Sequence, residues 1–236
     1  MNFSNKKDIV FLILAGFFIT NAIVAELIGV KVSTFFEYFG QSVGIILWPV
    51  VFIITDLVNE YYGKAAVRKL TYITVGLIAY TFIIISVCLQ VPAADFSPVS
   101  DEAFMKVFGQ SRYIIVGSIC AFIASQLIDS SLFWVLRNKT GKKMIWLRAT
   151  GSTIVSQLVD TFIVQFIAFV IPGVWTMDVF LKNASFGYVF KLLVAVLIIP
   201  VIYLVHFLID KYLGEHASDE MIKHTAEENL HHKVKE

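Results

Sequence analysis

Long apolar stretches alternate with short polar ones along most of the chain. A helix needs about 20 residues to cross a hydrocarbon layer roughly 30 Å thick, so apolar runs near that length predict membrane-spanning helices. Six runs qualify, of which the second is the shortest: Ile9–Val30, Ser42–Val58, Leu70–Val91, Tyr113–Leu136, Ala149–Ile171 and Phe186–Ile209. The pattern predicts an all-α polytopic membrane protein, with a six-helix transmembrane domain over residues 1–212 and a charged tail over residues 213–236. Pro49 and Pro200 fall inside the second and sixth runs and predict a kink in each, because proline removes a helical hydrogen bond.

The polar connections between these runs predict the orientation. Cytoplasmic loops of membrane proteins carry an excess of Lys and Arg. Ten such residues lie in the amino-terminal segment and in the second and fourth loops, against four in the first, third and fifth loops. Both termini are therefore expected in the cytoplasm.

Composition narrows the function classes. Of the 236 residues, 58% are hydrophobic and 16% are charged, which leaves no room for a soluble catalytic domain beside six spans. The formal net charge is +1, so we expect no nucleic-acid partner. We also predict no metal or cofactor, because both cysteines lie in apolar runs and the tail histidines lack the spacing of a compact site.

One five-residue phrase occurs twice, as SQLID over Ser125–Asp129 and as SQLVD over Ser156–Asp160. At 100° per residue, the serine, glutamine and aspartate of each copy share one face of their helix. Phe122 and Phe133 share that face in the fourth run, and Thr153 shares it in the fifth. The phrase thus predicts a polar stripe along each of two consecutive helices.

The cost of burying the two aspartates bears on what these stripes do. An aspartate near the centre of a span costs about 2.5–3.5 kcal/mol, whereas a hydrogen bond between helices returns only about 0.6 kcal/mol on average. This favours a wet cavity that holds a polar ligand, with the locking together of the two helices as the alternative. The predicted substrate contacts are Asp129, Gln126, Asp160, Gln157, Ser125, Ser156, Phe122, Phe133 and Trp48.

Further polar residues in the runs are candidates for coupling or gating: Asn21, Glu26, Asp56, Glu60 and Lys191. Glu60 either pairs with Lys64 one turn later or joins the cavity. Lys191 either extends its ammonium to the membrane surface or balances one of the carboxylates.

This set of residue types suits a flat heterocycle with several N–H donors. A carboxylate accepts two donors side by side, and a glutamine supplies both a donor and an acceptor. Aromatic rings can stack on the heterocycle. From the residues alone, an ion or an amino acid would fit almost as well.

Four stretches in order along the chain resemble the queuosine precursor transporter family, earlier grouped with vitamin uptake transporters. They are WPVVFIITDLVNEYYGKAAVRK (Trp48–Lys69), DEAFMKVFGQSR (Asp101–Arg112), SQLIDSSLFWVLR (Ser125–Arg137) and WLRATGSTIVSQLVDTFI (Trp146–Ile163). The resemblance implies import of 7-deazaguanine bases, namely the nitrile or aminomethyl precursors or queuine itself, across the bacterial inner membrane for salvage into modified tRNA. It also implies that Asp129 or Asp160 recognises the N–H donors of this purine-like substrate.

Three mechanisms remain open at this point. We favour a stand-alone secondary importer that works by alternating access around a site between the fourth and fifth helices. The alternative is a substrate-binding subunit of an ATPase-energised vitamin-type uptake system. A membrane-embedded enzyme that uses Asp129 and Asp160 is disfavoured, because no GxGD or HExxH pattern accompanies them. The expected partners are the small-molecule substrate and the lipid bilayer, and the sequence leaves a homodimer open.

Overall fold

A computed structural model of the chain describes residues 5–35, 39–140 and 145–233. Helices dominate these residues, so the predicted helical membrane class is confirmed. The helices are α1 (Lys6–Ile28), α2 (Trp48–Cys88), α3 (Asp101–Phe108), α4 (Arg112–Thr140), α5 (Ile145–Gln165), α6 (Met177–Leu197), α7 (Ile199–Leu213) and α8 (Glu215–Lys233). Lys142 and Lys143, counted above in the fourth loop, lie outside the described residues.

A short β-hairpin departs from the all-helical expectation. Strands β1 (Val32–Phe35) and β2 (Phe39–Ser42) are antiparallel, and Val32 pairs with Ser42. A single 3₁₀ turn over Val43–Ile46 joins the hairpin to α2. The hairpin and this turn therefore come immediately before α2. Its first residue, Trp48, also begins the first of the four stretches that resemble the transporter family.

Five helical segments among the described residues are long and apolar enough to cross a membrane, where the sequence suggested six. They are Lys6–Ile28, Val43–Cys88, Asp101–Thr140, Thr150–Val170 and Met177–Leu197. The difference arises in α2, which holds both the second and the third apolar run without an intervening loop. Gly63 interrupts this helix with a φ of 84°, a left-handed conformation that glycine adopts without steric strain.

The two prolines differ in their effect. Pro200 coincides with a break, because α6 ends at Leu197 and α7 begins at Ile199. Pro49 produces no kink, which corrects the prediction from the sequence. It lies in the first turn of α2, where its missing N–H would have had no helical partner in any case.

The core is built from the faces that α1 and α2 turn towards each other. Val10, Leu14 and Phe18 recur every four residues on α1 and pack with Val51 and Leu57 of α2, all less than a tenth exposed. Helices α4 and α5 approach closely at Gly117, where a Cβ atom would lie 3.1 Å from the carbonyl oxygen of Val164. This close approach brings the two polar stripes within hydrogen-bonding distance of each other.

The charged tail forms a helix that packs against the membrane helices. Met221 and Thr225 of α8 are buried, and the Thr225 hydroxyl donates to the Tyr61 carbonyl at 3.2 Å. A guanidinium N–H of Arg137 donates to the Ile222 carbonyl at 2.8 Å. Helix α8 is thus attached to both α2 and α4.

Candidate functional site

A cavity of about 30 Å³ lies between the start of α2, the middle of α5 and the α6–α7 break. Its wall from α2 includes Trp48, Phe52 and Asp56. Helix α5 contributes Thr153 and Gln157 to the lining, and α6 contributes Lys191. Four residues singled out from the sequence, Trp48, Asp56, Gln157 and Lys191, therefore meet at one cavity.

Two of the polar side chains that line this cavity have atoms without protein partners. Within the described part of the chain, neither Oδ1 of Asp56 nor the two amide atoms of Gln157, Oε1 and Nε2, has a hydrogen-bond partner. The two side chains are nearly inaccessible, with Asp56 at 5% and Gln157 at 1% exposure. Leaving a buried polar group unsatisfied costs about 1–3 kcal/mol, so this arrangement is costly unless a ligand binds there.

The apolar part of the cavity is aromatic. The ring centroid of Trp48 lies 6.3 Å from that of Phe52 and 5.6 Å from that of Phe122. Phe122 is 1% exposed and does not line the cavity; it packs behind Trp48 and against Phe18. Trp48 and Phe52 therefore present the aromatic surface, and Phe122 supports it.

Lys191 forms an ion pair inside the membrane domain instead of extending to the surface. Its Nζ lies 2.7 Å from Oδ2 of Asp160, and the two side chains are 14% and 11% exposed. Oδ1 of Asp160 accepts a hydrogen bond from the Ser125 hydroxyl at 3.4 Å. Asp160 on α5 therefore bonds to residues of both α4 and α6. It does not line the cavity itself, but its partner Lys191 does.

The two copies of the repeated phrase bond to each other in a crossed arrangement. Ser125 of the first copy donates to Asp160 of the second, and Ser156 of the second donates to Asp129 of the first at 3.0 Å. Asp129 is 1% exposed and does not line the cavity. Ser125, Gln126, Asp129 and Ser156 thus lie in the interface between α4 and its neighbours, the position that the helix-locking alternative predicts.

Gln126 has a protein partner, unlike the glutamine in the second copy. Its Oε1 accepts from the Thr55 hydroxyl of α2 at 3.1 Å. One turn further along, the Ser130 hydroxyl donates to Oδ1 of Asn59 at 3.0 Å. These two bonds join α2 to α4, and none of the four residues lines the cavity.

Glu60 belongs to a separate buried charge cluster. Its carboxylate lies 3.0 Å from Nη2 of Arg148 and 3.6 Å from Nη2 of Arg137. The Arg148 guanidinium also lies over the ring of Phe133, 5.6 Å from its centroid. Glu60 and Phe133 do not line the cavity. Both arginines, counted from the sequence as loop charges, are buried.

Asn21 and Glu26 also lie apart from the cavity lining. The Asn21 amide donates to the Phe17 carbonyl of its own helix at 2.8 Å. The Glu26 carboxylate accepts from the Ser118 hydroxyl of α4, and the Glu26 carbonyl accepts from the Gln110 amide at 2.8 Å. These contacts connect α1 to the start of α4.

Sequence reasoning missed Phe52 and the apolar lining residues around the α6–α7 break, which include Ala195, Ile198 and Ile202. An apolar residue in a membrane helix carries no signal that separates a lipid-facing position from a cavity wall. Phe52 lies one turn before Asp56, so the helical spacing from a carboxylate was the one available sign.

This chain is similar to known proteins over most of the region that holds these residues. A family model described as "Putative vitamin uptake transporter" matches residues 42–205. The probable queuosine precursor transporter of Bacillus subtilis (strain 168) is 35% identical over 171 residues, 71% of this chain and 73% of that protein. The probable queuosine precursor transporter of Haemophilus influenzae (strain ATCC 51907 / DSM 11121 / KW20 / Rd) is 25% identical over 168 residues, 68% of this chain and 66% of that protein. No solved structure matches the chain significantly. The chain therefore belongs to the queuosine precursor transporter family and is a multi-pass protein of the bacterial cell membrane.

Proposed function

We propose that the protein imports queuosine precursors, 7-deazaguanine bases such as the nitrile and aminomethyl precursors or queuine, for salvage into modified tRNA. The names of the two relatives support this class of substrate. Asp56, Gln157 and Lys191 all fall inside the region that the family model matches. Membership of a transporter family also argues against an enzymatic role.

One observation carries the assignment of the binding site: Asp56 and Gln157 line the same cavity, and each has side-chain polar atoms without a hydrogen-bond partner among the described residues. A guanine-type edge offers two adjacent N–H donors and a carbonyl acceptor. The Asp56 carboxylate can accept the donors side by side, and the Gln157 amide can donate to the carbonyl. The site thus complements this edge without any rearrangement of protein hydrogen bonds.

The rest of the cavity suits a flat ring. The enclosed space is about 30 Å³ in this conformation, below the roughly 300–1,000 Å³ of small-molecule sites, so we propose that the helices around it move apart to admit a base, as alternating access requires. The indole of Trp48 and the ring of Phe52 supply aromatic faces on which a heterocycle can stack. We therefore propose a substrate site between α2, α5 and α6. The sequence had instead favoured a site between α4 and α5.

The transport mechanism that we propose is alternating access by a secondary transporter with six membrane crossings. The crossings are α1, the two parts of α2 on either side of Gly63, α4, α5, and α6 together with α7, with both termini in the cytoplasm. Interrupted helices often mark transporter sites, and Ile198, at the break before Pro200, lines the cavity. A change at this break would alter the wall of the site directly.

Uptake of a labelled 7-deazaguanine base by cells unable to make it tests the assignment. We expect Asp56→Asn to insert normally and to lose about tenfold to a hundredfold in uptake, because a hydrogen bond to a charged group contributes roughly 1.5–3 kcal/mol. Thr55→Val is the matched control: Thr55 is the preceding residue, equally buried, bonded to Gln126 and not part of the cavity lining. Wild-type uptake by Asp56→Asn, or equal loss in both variants, would remove Asp56 from the site.

Reconstitution separates the two energising mechanisms. The purified chain in vesicles is expected to accumulate the labelled base without any ATPase component. Transport that appears only when an ATPase partner and ATP are supplied would instead support the binding-subunit alternative. Recovery of the base in chemically unchanged form checks that the chain transports the base without modifying it.

A further inference from the structure

Lys191 places a positive charge in the wall of the proposed substrate cavity. It lines the cavity from α6, whereas Asp56 and Gln157 line it from α2 and α5. The next lining residues on α6 are Val194 and Ala195, both apolar. The ammonium is therefore the polar group that α6 contributes to the cavity.

Asp160 positions this ammonium but does not occupy all of its donors. The carboxylate holds Nζ at 2.7 Å and is itself held through the Ser125 hydroxyl. Asp160 is not among the lining residues, so the cavity faces the lysine and not its counter-ion. An ammonium has three N–H donors. Among the described residues, Asp160 is the one hydrogen-bond partner of the Lys191 ammonium, so two of its donors remain for a ligand.

We propose that Lys191, positioned by Asp160, is a specificity-determining residue that favours bases with a neutral, hydrogen-bond-accepting substituent over bases with a primary ammonium. The inference rests on the proposed function, in which Asp56 and Gln157 hold the guanine-type edge. The substituent of a 7-deazaguanine is on the five-membered ring, away from the two N–H donors of that edge. A nitrile nitrogen in that position can accept from Lys191, whereas an aminomethyl cation meets a like charge in a poorly solvated space.

Competition between the nitrile and aminomethyl bases for uptake of the labelled nitrile base tests the proposal. For wild type, we expect the unlabelled nitrile base to compete at least about tenfold better than the aminomethyl base, because the Lys191 ammonium lines the cavity and its counter-ion Asp160 does not, so the nearer charge repels the cation. Lys191→Gln should reduce this preference to within about threefold, since the amide keeps a donor and removes the charge. Lys191→Arg retains the charge and should retain the preference.

The outcomes separate the inference from the proposed function. If wild type transports none of the nitrile base, the aminomethyl base and queuine, the proposed function fails, and if it transports queuine alone, the inference fails. If wild type transports the nitrile and aminomethyl bases and they compete equally, or if Lys191→Gln transports with the wild-type preference, the inference fails and the proposed function stands. Should Lys191→Gln insert poorly because Asp160 has lost its partner, the double variant Lys191→Gln with Asp160→Asn removes both charges. Its preference is then measured by binding of the two bases to the purified protein, and a wild-type ratio there overturns the inference.

Discussion

The two copies of the repeated phrase have the same residues in the same order, yet they lie in different surroundings. In the α4 copy, Oε1 of Gln126 accepts from Thr55 and Oδ1 of Asp129 accepts from Ser156, so each side chain has a bond to a neighbouring helix. Nε2 of Gln126 and Oδ2 of Asp129 have no hydrogen-bond partner among the described residues. In the α5 copy, the amide of Gln157 has no hydrogen-bond partner among the described residues, and it lines the cavity. The difference shows that the same polar stripe can hold helices together or line a cavity, depending on which helix packs against it.

The aspartates of the two copies should differ most. Asp160→Asn leaves the buried ammonium of Lys191 without its counter-ion, and breaking a buried pair in this way costs roughly 3–5 kcal/mol. Asp129→Asn keeps an oxygen that can accept from Ser156, so we expect a loss below about 1 kcal/mol. Denaturant unfolding in mixed micelles measures both values, and uptake should be lost only in Asp160→Asn.

The aspartate comparison has an internal control. Asp160→Leu combined with Lys191→Met removes both charges and should recover most of the stability, because no unpaired ion remains. Equal destabilisation by the two asparagine variants would mean that the two copies are equivalent after all.

The glutamines should separate transport from stability. Gln157→Leu removes the unpaired amide from the cavity wall, so uptake should fall by about tenfold or more while stability is unchanged or improved. Gln126→Leu removes the acceptor of Thr55, which still donates to the Val51 carbonyl, so stability should fall by about 0.5–1.5 kcal/mol with uptake retained. Uptake and unfolding are measured on the same preparations. The reverse result, transport lost in Gln126→Leu and kept in Gln157→Leu, would place the site on α4.

The serines should show the smallest effects. Each hydroxyl shares its proton between the aspartate of the other copy and a carbonyl three residues earlier in its own helix, so Ser156→Ala and Ser125→Ala should each cost about 0.5–1 kcal/mol. The Ser156 bond is shorter, at 3.0 Å against 3.4 Å, so we expect the larger loss in Ser156→Ala. Unfolding in mixed micelles measures the difference, and identical values would show that the crossed bonds contribute equally.

Several features of the fold could be predicted because they depend on local composition. The apolar runs predicted membrane helices, since the length needed to cross a bilayer is a property of one helix. The phase of the polar stripes also follows from the helical repeat alone. The six-span count depended on a loop between the second and third runs, but the chain continues as helix on both sides of Gly63. A glycine in a left-handed conformation can replace a loop, and nothing in hydropathy distinguishes the two cases.

The candidate site was predicted in part. Asp56, Gln157, Lys191 and Trp48 were chosen as polar or aromatic residues within apolar runs, and they line one cavity. Gln126, Asp129 and Ser156 met the same criterion and lie in a helix interface. The Glu60 ion pairs with Arg137 and Arg148 were not predicted, because those arginines looked like ordinary loop charges at the ends of spans.

The sequence by itself determined that this chain enters a membrane as helices, and which face of each helix is polar. The reason is that helix formation and partition into lipid depend on residues within about 20 positions of one another. Only the tertiary structure decided which polar face meets a cavity and which meets another helix. That outcome depends on contacts between residues far apart in the chain, such as Ser125 with Asp160 and Lys191 with Asp160, and on the packing of α2, α5 and α6 around a space that they do not fill.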